Sequence, residues 1–233
     1  MKLGIMQPYL FPYLGYFQLI AAVDKFVVHD DVQYIKGRWI NRNRILINNK
    51  PYLFTFSIKK DPFFLKINQR TFAPSFPMES KKFLKLLYQA YHKAIRFKQT
   101  YALLEDIMSY SDNNISKFVT NSLQKISRYL DIDTPFILSS EIEKNDKLKG
   151  QDRVININSV MQSTHYINPI GGTELYSKDE FKKKHIKLNF IKMNEIKYLQ
   201  FGDGFVSNLS MIDVLMFNDK KSIKQMLSEY VWN

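Results

Sequence analysis

Three consecutive residues, His29-Asp30-Asp31, close an apolar run from Lys25, and the stretch after them is strongly basic. From Val32 to Lys60 there are seven basic residues and no acidic one, and Arg38, Arg42 and Arg44 lie within seven positions. A positioned carboxylate or imidazole can bind or deprotonate an acceptor hydroxyl or amine. Clustered guanidinium groups can hold a phosphate or carboxylate in bidentate fashion. Together they are what group transfer to a charged substrate needs. On this reading His29, Asp30 and Asp31 form the catalytic set, and Lys36, Arg38, Arg42 and Asn43 hold the anion. Asn41 and Asn43 can bond a sugar or an amide, and Trp39 can stack on a flat ring. The same residues admit a plainer arrangement. Adjacent carboxylates on a strand point to opposite faces, a polar trio can simply end a strand, and Trp39 can belong to a hairpin core.

More polar candidates follow other apolar runs. Gln7 comes directly after Leu3 to Met6, and with Tyr13 and Tyr16 it would line a pocket. Arg153, at the start of a helix from Asp152 to Met161, and the pair Gly171-Gly172 would close it. A glycine pair between a strand and a helix can expose N–H groups to phosphate. The chain has no G-x-G-x-x-G, Walker A, H-E-x-x-H, H-x-G-H or G-x-S-x-G sequence. No cofactor is therefore specified and no metal site is expected. His92, His165 and His185 read as a surface residue, a strand-end residue and a helix-end residue.

A scaffold that gathers strand ends must position these groups. Leu3 to Met6 reads as a buried strand, Gly15 to Val23 as an apolar-faced helix, and Lys25 to His29 as a second buried strand. This is the opening of an α/β sheet, whose ligands sit beyond the carboxyl ends of the strands. Arg44 to Ile47 and Tyr52 to Ile58 form a hairpin across Asn48-Asn49-Lys50-Pro51. Glu79 to Phe97, Tyr101 to Tyr110 and Asn114 to Leu130 are helices. Phe83, Leu87, Tyr91 and Ala94 mark the buried face of the first, and Ile115, Val119, Ser122, Ile126 and Leu130 that of the third. Strands at Phe136 to Leu138, His165 to Ile167 and Ile186 to Lys192 alternate with further helices. Ser177 with Glu180 reads as a capping box, Ser210 with Asp213 as a second cap signal, and Ser222 to Trp232 as a terminal helix. The expected fold class is α/β: a mostly parallel twisted sheet opened by a β-loop-α-β unit, with a β-hairpin and a helical insertion. Residues 1–233 are expected to form one domain, with 79–130 a helical subunit on the sheet.

Lys and Arg number 34 against 22 Asp and Glu, a net charge of +12. Such a balance suits an anionic partner: nucleic acid, a phosphate, a nucleotide-linked or lipid-linked sugar, or a membrane surface, and it fits a non-catalytic binding module for an anionic ligand or nucleic acid as the alternative to a transferase. Compositional drift toward lysine would give the same excess. No apolar run is long enough to span a bilayer, and the N-terminus, interrupted by Pro8 and Pro12, reads as a strand rather than a signal peptide. Cysteine is absent, which excludes disulfides and thiolate ligands and fits a cytoplasmic location. Oligomeric state is not legible.

The chain resembles the WbqC-like protein family. The likeness rests on M-Q-P-Y-x-F-P-Y-x-G-Y-F at Met6 to Phe17, A-x-D-x-F-V at Ala22 to Val27, H-D-D-V-Q-Y-x-K at His29 to Lys36 and W-I-N-R-N at Trp39 to Asn43. Softer matches run through S-S-E at Ser139 to Glu141, G-x-D-R at Gly150 to Arg153, Y-I-x-x-x-G-G-x-x-L-Y at Tyr166 to Tyr176, and L-S-x-x-D-x-L-x-F-N at Leu209 to Asn218. The resemblance brings Pro8, Gln33 and Tyr34 into the substrate-binding set. It implies a bacterial protein associated with O-antigen or surface-polysaccharide gene clusters, and a conjectured transfer of an amino acid, glycine, to a sugar. The opening unit is also remotely similar to nucleotidylyltransferase folds, although Tyr13-Leu14-Gly15-Tyr16 stands where those carry H-x-G-H.

Overall fold

The computed structural model describes residues 1–233. Six strands form the main sheet: β1 (Lys2–Met6), β2 (Lys25–Val28), β5 (Phe136–Leu138), β6 (His165–Pro169), β7 (Lys187–Met193) and β8 (Tyr230–Trp232). Their order is β5-β2-β1-β6-β7-β8, and every pairing is parallel except β7 with β8. β3 (Arg42–Ile47) and β4 (Lys50–Thr55) make a separate antiparallel hairpin. Asn48 and Asn49 turn it with φ of 50° and 59°, a conformation that asparagine tolerates and that matches strand twist.

The chain winds outward from β1 through α1 (Leu14–Ala21) to β2 and β5, then returns to β6 on the other side of β1 through α5 (Gly150–Val160). Right-handed crossovers place helices from opposite winding directions on opposite faces. The larger core, 41 buried residues, joins one sheet face to α1, the hairpin, α2 (Phe76–Tyr91), α3 (Phe97–Met108), α4 (Ile115–Tyr129), α7 (Met211–Phe217) and α8 (Lys220–Ser228). The smaller core, 11 residues, joins the other face to α5 and α6 (Lys178–Lys182). Neighbours on a strand divide accordingly: Val28 belongs to the first core and Val27 to the second. The helix expected from Glu79 to Phe97 ends at Tyr91, and Phe97 opens α3; all the face residues expected from the spacing are nevertheless buried, Ala94 in the turn between the two helices included.

Three other local expectations change. The terminal helix stops at Ser228, and Tyr230–Trp232 instead pairs with Ile191–Met193 as an edge strand, where aromatic and β-branched side chains pack well. Ser177 makes no capping hydrogen bond. Ser210 does cap α7, accepting from Ile212 N–H at 3.2 Å, but Asp213 takes no part in that cap. Its buried carboxylate accepts from the Tyr91 and Tyr198 hydroxyls, each at 2.7 Å, and from Gln200 Nε2 at 2.6 Å. Burial outweighs those donors and raises its pKa. No helix is long and apolar enough to cross a membrane.

Beyond β1 the chain makes a tight loop, Gln7 to Tyr13. Phe11 sits there fully buried with φ of 43°, an uncommon conformation for a bulky residue that the surroundings must hold. Asn43 Nδ2 donates to the carbonyls of Leu10 and Phe11, both at 2.8 Å, and Ser210 Oγ donates to the Phe11 carbonyl at 2.8 Å. Asn43→Ala would leave the Leu10 carbonyl buried without this donor. We expect a loss of about 1–3 kcal/mol by urea denaturation.

Candidate functional site

The strand order reverses between β1 and β6, and open α/β sheets bind ligands in the crevice that such a reversal leaves at the carboxyl ends. A hollow of about 300 Å³ lies there. Ile5, Met6, Gln7 and Tyr9 line it from β1 and its loop, His29 from the end of β2, Asn168 from the last residues of β6, and Gly171, Gly172 and Tyr176 from beyond it. A larger cavity of about 900 Å³ lies at the end of β7, lined mostly by apolar side chains. Its charged members, Lys192, Glu195 and Lys197, are exposed, and Lys197 already pairs with Glu195 at 2.9 Å. The smaller hollow is the stronger candidate, because polar groups from three strand ends converge on it.

Asp31 lies behind His29. Its Oδ2 accepts from Lys144 Nζ at 2.7 Å and Arg153 Nη2 at 2.5 Å, and all three side chains are buried. Lys144 also donates to the Ser139 carbonyl, and Arg153 Nη2 lies 3.2 Å from Asp146 Oδ1. Burial pushes the Asp31 pKa up, but the Lys144 hydrogen bond and the Lys144 and Arg153 charges outweigh it and hold the carboxyl below its ordinary value. His29 Nε2 faces Asp31 Oδ1 at 3.9 Å, too far for a hydrogen bond, and neither atom has another partner. Burial lowers the His29 pKa to about 4; Asp31 opposes the shift, while Arg153 and Lys144 add to it. The imidazole is therefore neutral at pH 7, and it is a weak base unless an anion beside it raises that value.

Asp30 points the other way. It accepts from Ser140 N–H (3.0 Å), Ser140 Oγ (2.8 Å) and Ser116 Oγ (3.2 Å), tying the end of β2 to the end of β5 and to α4. The two glycines also differ. A Cβ on Gly172 would sit 2.0 Å from Asn168 Oδ1, whereas one on Gly171 would meet nothing within 4 Å. Gly172 is required by packing; Gly171 leaves open space beside the hollow.

The sequence pattern that defines the WbqC-like protein family matches residues 7–225. The chain belongs to that family. It is also 28% identical over 224 residues, 93% of each chain, to the uncharacterized protein Rv1507c of Mycobacterium tuberculosis (strain ATCC 25618 / H37Rv). No solved structure matches it.

In this WbqC-like protein the expected site residues fall into three groups. Gln7, His29, Gly171 and Gly172 surround the hollow, with Asp31 and Arg153 behind His29. Lys36 and Arg38 are exposed on the loop after β2, which meets the β1 loop where Leu10 N–H donates to the Trp39 carbonyl at 2.9 Å. Arg38 is near enough to Tyr9 to offset part of the rise that burial gives that hydroxyl's pKa. The others make contacts within the fold. Pro8 and Tyr16 are buried, and the Tyr16 hydroxyl donates to the Gln7 carbonyl at 2.8 Å. Tyr13 lines the larger cavity and lies across Gly15, where a Cβ would come within 2.4 Å of its ring. Asn41 Nδ2 donates to the Phe56 carbonyl at 2.6 Å and its Oδ1 accepts from Tyr34 at 3.1 Å. Asn43 holds the Phe11 loop. Gln33 donates to the Phe63 carbonyl at 3.3 Å. Trp39 carries the guanidinium groups of Arg42 and Arg44 over its ring at 5.7 and 5.3 Å, and Arg42 donates to the Gly37 carbonyl.

Tyr9, Lys144, Asn168 and Tyr176 join the site without having been singled out from the sequence. Tyr9 and Tyr176 lie inside motifs that carried the family resemblance, so the signal for them was present. Lys144 sits in a charged loop whose spacing distinguishes no one lysine. Among the other histidines, His92 and His185 are exposed and His165 Nε2 pairs with Asn189 Oδ1 at 2.8 Å.

Proposed function

We propose that this protein is a group transferase of bacterial surface-polysaccharide (O-antigen) assembly, acting in the cytoplasm on a nucleotide-linked or lipid-linked sugar at the β1/β6 hollow. The transferred group would be an aminoacyl group such as glycyl. The observation that carries the reading is the convergence of a neutral imidazole, Gln7 and the Gly171-Gly172 pair at the sheet's strand-order reversal. Family membership supports the setting.

In this reading Gln7 and the glycine pair orient the sugar or its phosphate, and Arg38, whose charge acts on Tyr9, meets the anionic end. Because Nε2 faces Asp31, Nδ1 is the ring nitrogen left for a ligand. An anion beside His29 favours its protonated form. The imidazole then takes the acceptor's proton as the acceptor attacks the acyl carbon, and returns it to the leaving group. Asp31, held by Lys144 and Arg153, puts its charge opposite Nε2, and Asp30 fixes the strand end. The expected remote similarity to nucleotidylyltransferase folds is not confirmed and adds no chemistry, since Tyr13 faces the larger cavity and Tyr16 is buried.

The test is to add nucleotide-linked sugars to labelled protein and follow the amide signals of Gln7, His29 and Gly171 by NMR, with His29→Ala in parallel. The expected result is saturable shifts at those residues and a roughly 10²–10⁴-fold loss of glycan modification in cells carrying the variant. Full modification by a folded His29→Ala protein would overturn the reading.

A further inference from the structure

The turn Pro62-Phe63-Phe64-Leu65 holds two phenylalanines in water. Leu65 N–H reaches the Pro62 carbonyl at 3.3 Å, so Phe63 and Phe64 occupy the corners, where they are 79% and 63% exposed. Their rings meet edge to face with centroids 5.8 Å apart. Arg70, itself buried, grips the base of the turn. It donates to the carbonyls of Asp61 (3.3 Å) and Pro62 (2.8 Å) and lies over the Tyr34 ring. Tyr34 N–H donates to the Leu65 carbonyl at 3.0 Å. The aromatic tip is thus presented on a fixed base.

The surroundings are basic. Lys36, Arg38, Lys59 and Lys60 are exposed and Lys66 is half-buried, while Ile35, 50% exposed, adds apolar surface. Asp61 is the one acidic residue between Val32 and Lys66, and it lies 3.9 Å from Lys59. The segment also belongs to the carboxyl edge of the sheet. Asn68 N–H donates to the Asp30 carbonyl and Ile67 N–H to the Val32 carbonyl, both at 2.9 Å.

We propose that the Phe63-Phe64 turn docks this protein on an anionic lipid bilayer. The rings enter the interface between headgroups and acyl chains, and the surrounding lysines meet the phosphates. A convex tip with edge-to-face rings suits insertion. Single-stranded nucleic acid instead uses rings lying flat along a groove. Docking would bring the sheet edge that bears the β1/β6 hollow to the membrane. It needs no turnover, so its failure leaves the transferase reading standing, and the reverse also holds.

The experiment is cosedimentation of the full chain with vesicles of phosphatidylcholine, with and without phosphatidylglycerol, at increasing salt. Binding is expected only to the anionic vesicles, weakening as salt rises. Phe63→Ser/Phe64→Ser should weaken it roughly tenfold or more, and Lys59→Gln/Lys60→Gln roughly fivefold per lysine. The melting transition should stay unchanged in both variants, whose side chains are exposed. Should the double phenylalanine variant fail to melt cooperatively, Phe63→Ser alone carries the same expectation. No binding, equal binding to neutral vesicles, or undiminished binding by the phenylalanine variant would overturn the proposal. So would a polyuridylate strand that binds through Phe63 and Phe64 while vesicles do not.

Discussion

Replacing Asp31 by asparagine is expected to destabilise the protein by about 3–5 kcal/mol in denaturant unfolding, the range for removing one partner of a buried ion pair. The cause is what remains. Lys144 and Arg153 both end on the same carboxylate oxygen, and without its charge two enclosed cations face each other. A second substitution checks the account: Lys144→Met in the Asp31→Asn background removes one stranded cation and should restore part of the loss. An unchanged or deeper deficit would mean that the carboxylate acts through geometry rather than charge. Acid titration gives an independent reading. The folded-state pKa of Asp31 is depressed, so its contribution is present above the ordinary carboxylate range and lost as pH falls through the lowered value. His29 is also depressed, from 6.5 to about 4, so the unfolded chain binds the extra proton between those values and stability rises with pH across that window. The wild type should therefore lose stability from about pH 6.5 downward. His29→Gln should flatten the upper part of that decline, and Asp31→Asn the part in the carboxylate range.

The framework of the fold was legible because it follows from periodicity. Apolar runs of strand length, alternating with helices whose buried faces repeat at helical spacing, leave little besides an α/β sheet, and the buried faces of α2 and α4 fell as the spacing required. Strand order was not legible. The return of β6 to the far side of β1 is a long-range event that no local pattern encodes, yet that return creates the hollow. The terminal segment shows the same limit. Tyr230–Trp232 continues a helical pattern on paper, but the open edge of β7 gives it hydrogen-bond partners that a lone helix end lacks.

Residue types pointed to the right neighbourhood and blurred the roles within it. His29, Asp30 and Asp31 share one strand end, but Asp30 turns toward Ser116 and Ser140 and Asp31 toward Lys144 and Arg153. Asn41 and Asn43 looked like sugar ligands because amides suit sugars. The irregular loops they bond, around Phe56 and Phe11, supply carbonyls that need donors just as much. The arginines of the hairpin strand went to Trp39 for a similar reason, since a guanidinium is weakly hydrated and stacks readily. Of the basic cluster, Arg38 is the member whose charge acts on the hollow's Tyr9, lowering its pKa against the rise from burial.

The glycine pair separates packing from binding most cleanly. Gly172→Ala is expected to destabilise the fold by about 1–3 kcal/mol, the usual cost of forcing atoms into a filled site. Its Cβ would land 2.0 Å from Asn168 Oδ1 and 3.2 Å from the Tyr176 ring. Asn168 cannot easily yield, because its Nδ2 donates to the buried Tyr166 hydroxyl at 2.5 Å. Asn168 and Tyr176 both line the hollow, so the displacement should also cut activity by about two orders of magnitude, as ångström-scale misplacement of a site does. Gly171→Ala is the informative counterpart. Its added methyl meets nothing within 4 Å and its φ is not positive, so stability should stay within about 0.5 kcal/mol. If a substrate's phosphate or sugar rests against that backbone, the methyl occupies the same space, and apparent affinity falls in a protein that melts like the wild type. Paired melting curves and binding isotherms for the two variants therefore distinguish a loop that shapes a binding surface from one that only terminates a strand. Gly171→Ala protein that binds nucleotide-linked sugar as tightly as the wild type would move the ligand away from β6.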